Sequence, residues 1–322
     1  MNCLYCGKPI LETASTAERR AGWHSKCVKK FFGAKEMPII DISEESLKEL
    51  AAESVNKGYT VTGVQKKLSL HLSLDEHPRL TLVNYPTGYI LKPQVDEFER
   101  LPESEYLIME MADITGIKTV PHALINIHGD IAYITKRIDR FDTKGKPVVL
   151  AMEDFCQLEE RLTQDKYKGS YERCAKVIQK YSHSDGLDMS EFFLRIVFSF
   201  AVGNSDMHLK NFSLIETAEG GNQHQLSAAY DLVPVNVIMP EDNEEFALTL
   251  NGKKKNIKRK DFLEFAATCG LSAKIAENLI AKTVSLQETY CNLCDASLLS
   301  PTLKESLKSL IRERLNRLSL KN

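Results

Sequence analysis

A carboxylate and a carboxamide stand five positions apart in Gly203-Asn204-Ser205-Asp206-Met207-His208-Leu209-Lys210-Asn211-Phe212. Phosphoryl transfer needs a carboxylate beside the attacking hydroxyl and oxygen ligands for magnesium. Asp206 offers the first, as a base, and Asn211 offers a metal-facing oxygen from the same loop. A further carboxylate to complete the metal site is Asp231, in Ala229-Tyr230-Asp231-Leu232-Val233-Pro234. An isolated Asp-x4-Asn arises often by chance. The weight comes from its setting: an apolar helix before it, a hairpin after it, and the trailing Asp. His208 reads as support for the loop rather than as a chemical group. Lys210 reads equally as a phosphate contact and as a solvated lysine.

Such chemistry also needs groups that hold phosphate. Gly58-Tyr59-Thr60-Val61-Thr62-Gly63-Val64-Gln65-Lys66-Lys67-Leu68 places two glycines ahead of an alternating strand. Glycine permits close backbone approach, and exposed N–H groups can cradle phosphate oxygens. The segment is not a Walker motif, and an ordinary connecting turn is its other reading. Lys92 ends the apolar strand Tyr89-Ile90-Leu91-Lys92-Pro93, from where its ammonium can reach phosphate. Its other reading is a lysine on the rim. Glu105, in the opening turn of the next helix, is either the partner of Lys92 or an acid favoured by the helix dipole.

A second constellation lies at the N-terminus. Cys3-x2-Cys6 and His24-x2-Cys27 make a Cys₃His set of the kind that tetrahedral zinc takes. Reduced, unliganded thiols are the alternative. The eight cysteines, in a chain without a secretory signal, point to metal rather than disulfides. Cys291 and Cys294 share one face of a helical run, which suits core packing. The run Lys253-Lys254-Lys255-Asn256-Ile257-Lys258-Arg259-Lys260 reads as a solvated loop, with an acidic partner or nucleic acid as the other reading. A net charge of −2 creates no global field toward nucleic acid or membrane, so direct nucleic-acid binding is not expected.

The elements that must carry these groups follow from periodicity. Leu68, Leu70, Leu72 and Leu74 alternate with polar residues, the pattern of a half-buried strand. Leu80–Val83 and Tyr89–Lys92 extend it into an antiparallel meander. Glu103–Thr115 predicts a helix stopped by Gly116. Val120–Ile127 and Ile131–Ile138 predict a hairpin around His128-Gly129-Asp130. Beyond about residue 150 the pattern turns helical. Ser190–Val202 is the strongest helix, Phe212–Ile215 and Gln225–Ala229 form a small hairpin, and helices run from Asp261 to Leu320. The expected organisation is a Cys/His head at 1–33, a connector at 34–58 with a helix near Ser43–Ser54, a strand-rich part at 59–140 and a helical part at 141–322. The length suits one two-lobed domain or two modest ones. No apolar run approaches ~18 residues, so no transmembrane helix is expected and the predicted location is cytoplasmic.

Taken in order, these motifs resemble the HipA family of bacterial serine/threonine kinases. The resemblance is carried by Thr60–Leu68, Glu103-Ser104-Glu105-Tyr106, Ile134-Thr135-Lys136-Arg137-Ile138-Asp139-Arg140-Phe141, Glu153-Asp154-Phe155-Cys156-Gln157, Asp206–Asn211 and Tyr230-Asp231. It implies an α+β, protein-kinase-like (HipA/lipid-kinase-like) fold with a small β-rich N-lobe and a helical C-lobe, and ATP with Mg²⁺ as cofactors. Asp206 would be the catalytic base, Asn211 and Asp231 the magnesium ligands, and Lys92 the phosphate-binding lysine. Thr62, Gly63, Val64, Gln65, Lys136, His208 and Lys210 would complete the nucleotide-binding set. The family implies growth inhibition through phosphorylation of a protein substrate, typically an aminoacyl-tRNA synthetase, and a small helix-turn-helix antitoxin as partner. The short stretch before Thr60 is similar to the shortened HipT type, whose missing N-terminal subdomain is a separate protein. The family autophosphorylates a serine in its phosphate loop. Here threonines stand there, and Thr60 or Thr62 is the expected regulatory phosphosite, since a dianion would repel nucleotide phosphates. Two other classes remain: a lipid or small-molecule phosphotransferase, because the Asp206-x-His208-x-x-Asn211 order also resembles lipid-kinase loops, and a regulatory pseudokinase, which the intact Lys92, Asp206, Asn211 and Asp231 argue against.

Overall fold

Alternating burial sets the main sheet. Leu68 and Leu70 are buried while Ser69 between them is exposed, so one face of the strand packs inward. The computed structural model describes residues 1–42, 67–73, 78–81, 88–143 and 146–320. The helix expected near Ser43–Ser54 lies outside the described residues, as do Thr60, Thr62, Gly63, Val64 and Gln65 of the expected phosphate loop, together with Leu74 and the ends of the neighbouring strand and turn at 82–87.

The chain divides into two units, Met1–Tyr106 with Val120–Val148, and Leu107–Thr119 with Val149–Asn322. The first opens with two short helices, α1 (Thr16–Ala21) and α2 (Ser25–Phe32). Six strands follow: β1 (Ile39–Asp41), β2 (Leu68–Ser73), β3 (Arg79–Thr81), β4 (Tyr89–Lys92), β5 (His122–Ile127) and β6 (Asp130–Lys136). They form one sheet in the order β1-β3-β2-β4-β6-β5. The middle strands are not a meander: β2 lies between β3 and β4, pairing antiparallel with both. β1, in the stretch expected to be only a connector, adds a parallel strand beside β3. The β5–β6 turn is His128-Gly129, both at positive φ, which suits the right-handed twist of a two-residue hairpin. A further hairpin pairs β7 (Arg140–Thr143) with β8 (Lys146–Val149).

The Cys/His head belongs to the core of this sheet. Trp23, Phe31 and Phe32 are buried in one cluster with Leu70, Leu91, Ala123 and Ile134. Backbone bonds stitch it in: Leu124 N–H donates to the Leu4 carbonyl at 2.9 Å, and Trp23 Nε1–H donates to the Leu124 carbonyl at 3.1 Å.

Helix α3 (Leu101–Thr115) begins two residues before the expected Glu103, with Pro102 tolerated in the first turn. Gly116, at φ 87°, ends it as expected. The second unit also contains β9 (Met152–Asp154), α4 (Phe155–Leu158), α5 (Tyr171–Tyr181), α6 (Asp185–Ala201), β10 (Ser213–Glu216), β11 (His224–Leu226), α7 (Val235–Ile238), α8 (Arg259–Thr268), α9 (Ala273–Ser285), α10 (Gln287–Ala296) and α11 (Pro301–Ser319). The small hairpin β10–β11 gains a third antiparallel strand, β9, too short to be read by periodicity. α6 starts five residues before Ser190, with Asp185 and Asp188 in a first turn that favours acids. Its residues Phe192–Ala201 are buried all round, as befits a central helix. Cys291 and Cys294 are buried on α10. The basic run is partly neutralised within the unit: Lys253 pairs with Asp261 at 2.6 Å and Lys254 with Glu244 at 3.0 Å. No helix among the described residues is long and apolar enough to cross a membrane.

Phe192 is fully buried against the rings of Phe155, Phe212 and Phe265. Phe192→Ala is expected to cost about 3–5 kcal/mol, read from the urea midpoint at unchanged m-value; a loss below about 1 kcal/mol would show that this ring cluster does not hold the second unit together.

Candidate active site

The loop carrying Asp206 is built by constraints at both ends. α6 stops at Gly203, whose φ of 71° is open to glycine, and where an added Cβ would lie 2.9 Å from a Leu310 methyl. Asn204 Oδ1 accepts the Asp206 N–H at 3.3 Å, and Ser205 Oγ donates to Asp242 at 2.6 Å. The Asp206 carbonyl then accepts two bonds, from His208 N–H at 2.8 Å and from Asn211 Nδ2 at 2.9 Å. The second bond decides the orientation of the Asn211 carboxamide. A carbonyl only accepts, so Nδ2 must point at it, and Oδ1 is the atom of Asn211 turned away. Both residues are buried.

Tyr167, which no sequence pattern singled out, holds the carboxylate. Its hydroxyl donates to Asp206 Oδ1 at 2.7 Å, and its ring meets the buried His208 edge-on at 5.1 Å. Its segment is fastened to the same loop by Leu209 N–H to the Lys166 carbonyl and by Tyr171 Oη to the Met207 carbonyl, both 3.1 Å. Lys210 makes a 2.6 Å ion pair with Asp154 at the end of β9.

Asp231 is brought to this loop through its neighbour. Tyr230 Oη donates to the Lys210 carbonyl at 3.2 Å and accepts from Ser213 Oγ at 2.5 Å. Burial pushes the Tyr230 phenol well above its usual range, so it stays protonated and keeps that donor. Asp231 itself is buried and sits at φ 57°, the left-handed region. That conformation costs a non-glycine residue roughly 1–3 kcal/mol and clusters at functional sites. Upstream, the buried Arg195 clamps the Ser227 carbonyl at 2.6 Å and Glu191 at 3.0 Å.

In the first unit, Lys92 and Glu105 form a buried ion pair at 2.5 Å, with side-chain exposures of 3% and 0%. The Lys92 ammonium also lies 5.3 Å from the centre of the Tyr133 ring. Lys136, at the end of β6, faces Tyr89 at 5.8 Å, and burial lowers its pKa.

The four Cys/His ligand atoms of Cys3, Cys6, His24 and Cys27 converge within 4.8 Å of one another and could hold a metal ion. His24 Nδ1 is 3.4 Å from Cys6 Sγ and 3.8 Å from Cys27 Sγ, while Nε2 meets the Pro9 carbonyl at 3.2 Å. Zinc bonded tetrahedrally to sulfur and nitrogen sets its ligands roughly 3.5–3.8 Å apart, and a carbonyl on the far ring nitrogen fixes the tautomer. Burial and the neighbouring Cys6 and Cys3 thiols push Cys27 up to about 12, a crowding that a bound cation relieves.

A family model for the HipA-like C-terminal domain matches residues 59–289. The chain is 28% identical over 298 residues to a Haemophilus influenzae protein named "Putative kinase", covering 83% of each. It is 29% identical over 243 residues to "Putative kinase Y4dM" of Sinorhizobium fredii, where it covers 70% of this chain and 57% of that one. Among solved structures it is similar to HipA of Shewanella oneidensis, determined in complex with HipB and operator DNA, with a TM-score of 0.71 at 18% identity, covering 86% of this chain and 71% of that one. It is also similar to the proinflammatory kinase CtkA of Helicobacter pylori, with a TM-score of 0.52 at 16% identity, covering 77% and 93%. The fold is therefore α+β and kinase-like, as the motif order implied.

Removing one partner of the buried pair isolates a charge. Glu105→Ala is expected to cost about 3–5 kcal/mol by urea denaturation, and the double replacement Lys92→Met with Glu105→Leu to cost clearly less; equal costs would show that the pair is not desolvated as described.

Proposed function

The chain belongs to the family of the HipA-like C-terminal domain, and from that premise we propose that it is an ATP- and magnesium-dependent serine/threonine protein kinase of a toxin–antitoxin system. The observation that carries this reading is the cross-tie between Asn211 Nδ2 and the Asp206 carbonyl. It keeps a base and a metal-facing oxygen on one rigid loop, and Tyr230 ties Asp231 to the same loop.

In this reading Asp206 accepts the proton of the substrate hydroxyl as it attacks phosphorus. Tyr167 keeps the carboxylate pointed, acting through Asp206 rather than on the substrate. Asn211 and Asp231 would hold magnesium; when bound, it offsets the charge of the phosphate oxygens. Their donor set, one amide oxygen and one carboxylate, suits a hard cation that keeps several waters. Lys92 binds nucleotide phosphate as a point charge set by Glu105. Thr62, Gly63, Val64, Gln65, Lys136, His208 and Lys210 complete the nucleotide set by family resemblance, and Thr60 or Thr62 takes the regulatory phosphate.

The Shewanella relative was solved with HipB and operator DNA. That context supports a helix-turn-helix antitoxin as partner here, with a separate N-terminal-subdomain protein as a second. By resemblance the substrate is a bacterial cytoplasmic protein, an aminoacyl-tRNA synthetase in the family pattern. Cys3, Cys6, His24 and Cys27 hold a structural zinc ion.

Radiolabelled ATP with Mg²⁺, the purified chain and a bacterial extract test the reading. Label is expected on Thr60 or Thr62 and on a protein of the extract, with Asp206→Asn lowering transfer by about 10²–10⁴-fold. Undiminished transfer by Asp206→Asn would remove Asp206 from the chemistry.

A further inference from the structure

We propose that the metal-bearing head is the brace that aims the Lys92–Glu105 pair, so that losing the ion weakens nucleotide binding by the first unit. The proposal rests on two readings given above: the Cys/His cluster as a zinc site, and Lys92 as a phosphate ligand.

The head reaches both members of the pair. Tyr5 lies between Cys3 and Cys6, and its carbonyl accepts the Tyr106 hydroxyl at 3.2 Å. Tyr106 is the residue next to Glu105 on α3. On the other side, the Phe31 carbonyl accepts the Tyr89 hydroxyl at 3.4 Å, and the rings of Phe31 and Phe32 meet the Tyr89 ring at 5.9 Å and 5.6 Å. Tyr89 opens β4, which Lys92 ends. One tether therefore acts on the strand that carries the lysine, and the other on the helix that carries the glutamate.

The ion is what joins the tethers. Cys3 and Cys6 flank Tyr5. His24 caps the start of α2, Cys27 lies in its first turn, and Phe31 and Phe32 in its last. The Tyr5 ring stacks on Trp23 at 5.4 Å and 12°, and Trp23 meets both phenylalanines. α1 and α2 have six and eight residues, and none of the cysteines is in a disulfide. Helices below ~12 residues are marginal alone, and small Cys/His modules take their folding free energy from the metal. Without the ion, the Tyr5 loop and α2 are joined by the Leu4–Gly22 backbone bond and the Tyr5–Trp23–Phe31 ring contacts, and the Cys3–Cys6 turn meets the start of α2 through weak thiol contacts of the ligand groups themselves. A buried ion pair tolerates little misalignment.

The test uses the full chain. Metal content is measured by mass spectrometry, and Co²⁺ substitution reports thiolate ligation by its absorption. Affinity for a fluorescent ATP analogue with Mg²⁺ is then measured before zinc-selective chelation, after it, and after zinc is restored. One zinc per chain is expected. Stripping should weaken the analogue by about tenfold or more, the scale of one charged contact, and zinc should restore it. Tyr106→Phe should keep the metal and the cobalt spectrum yet weaken binding several-fold, which separates bracing from mere folding of the head. In the Lys92→Met background, stripping should cost much less, because the brace acts through that lysine. Absence of bound metal would overturn the zinc reading and the brace with it. Bound zinc whose removal leaves affinity unchanged, or costs as much in the Lys92→Met background, would overturn the brace alone. A zinc-loaded chain that fails to bind the analogue would overturn the nucleotide reading, and the brace with it.

Discussion

The hydrogen bond from Asn211 Nδ2 to the Asp206 carbonyl, 2.9 Å long, is the constraint on which the candidate site depends. It closes the loop on itself and fixes which atom of the carboxamide is turned away. Most of the surrounding structure serves that closure. Gly203 takes the left-handed conformation that ends α6, with a Leu310 methyl close against it. Tyr167 orients the Asp206 carboxylate from outside the loop, and Tyr230 fastens the Asp231 turn to the Lys210 carbonyl. Preorganisation of this kind matters because phosphoryl transfer leaves a protein little covalent chemistry to do; positioning and charge are its contribution.

Buried charge is handled the same way in both units. Lys92 meets Glu105 within the first, and Arg195 meets Glu191 and the Ser227 carbonyl within the second. Such pairs give little net stability, but they specify geometry, because a misplaced partner leaves an uncompensated charge. The Cys/His head extends this logic to the scaffold: its aromatic residues share one core with the sheet that carries Lys92.

Much of this was legible in the sequence. The Asp206–Asn211 spacing and the trailing Asp231 pointed to the second-unit loop, because chemistry restricts residue type and spacing together, and the structure ties Asn211 and the neighbour of Asp231 to that loop. The Lys92–Glu105 pair was one of two open readings, and burial decided for it. The Cys/His spacing predicted convergence that side-chain geometry bears out. What escaped had no local signal. Tyr167 lies in a polar stretch whose only regular piece is a short 3₁₀ turn, and its role appears only when the chain returns to Asp206. β9 and β1 are three residues each, below the length at which alternation can be read. The order of β2, β3 and β4 was misread as a meander because sequence adjacency favours neighbour pairing, whereas β2 takes the central place.

The proposed site has Asn211 and Asp231 as holders of the metal of a nucleotide complex. Titrating Mn²⁺ by electron paramagnetic resonance, with a non-hydrolysable ATP analogue present, tests it most directly. The wild-type chain should take up the Mn²⁺–nucleotide complex, and Asn211→Ala and Asp231→Ala should each lose most of that uptake while remaining folded. Unchanged uptake by both variants would contradict the claim.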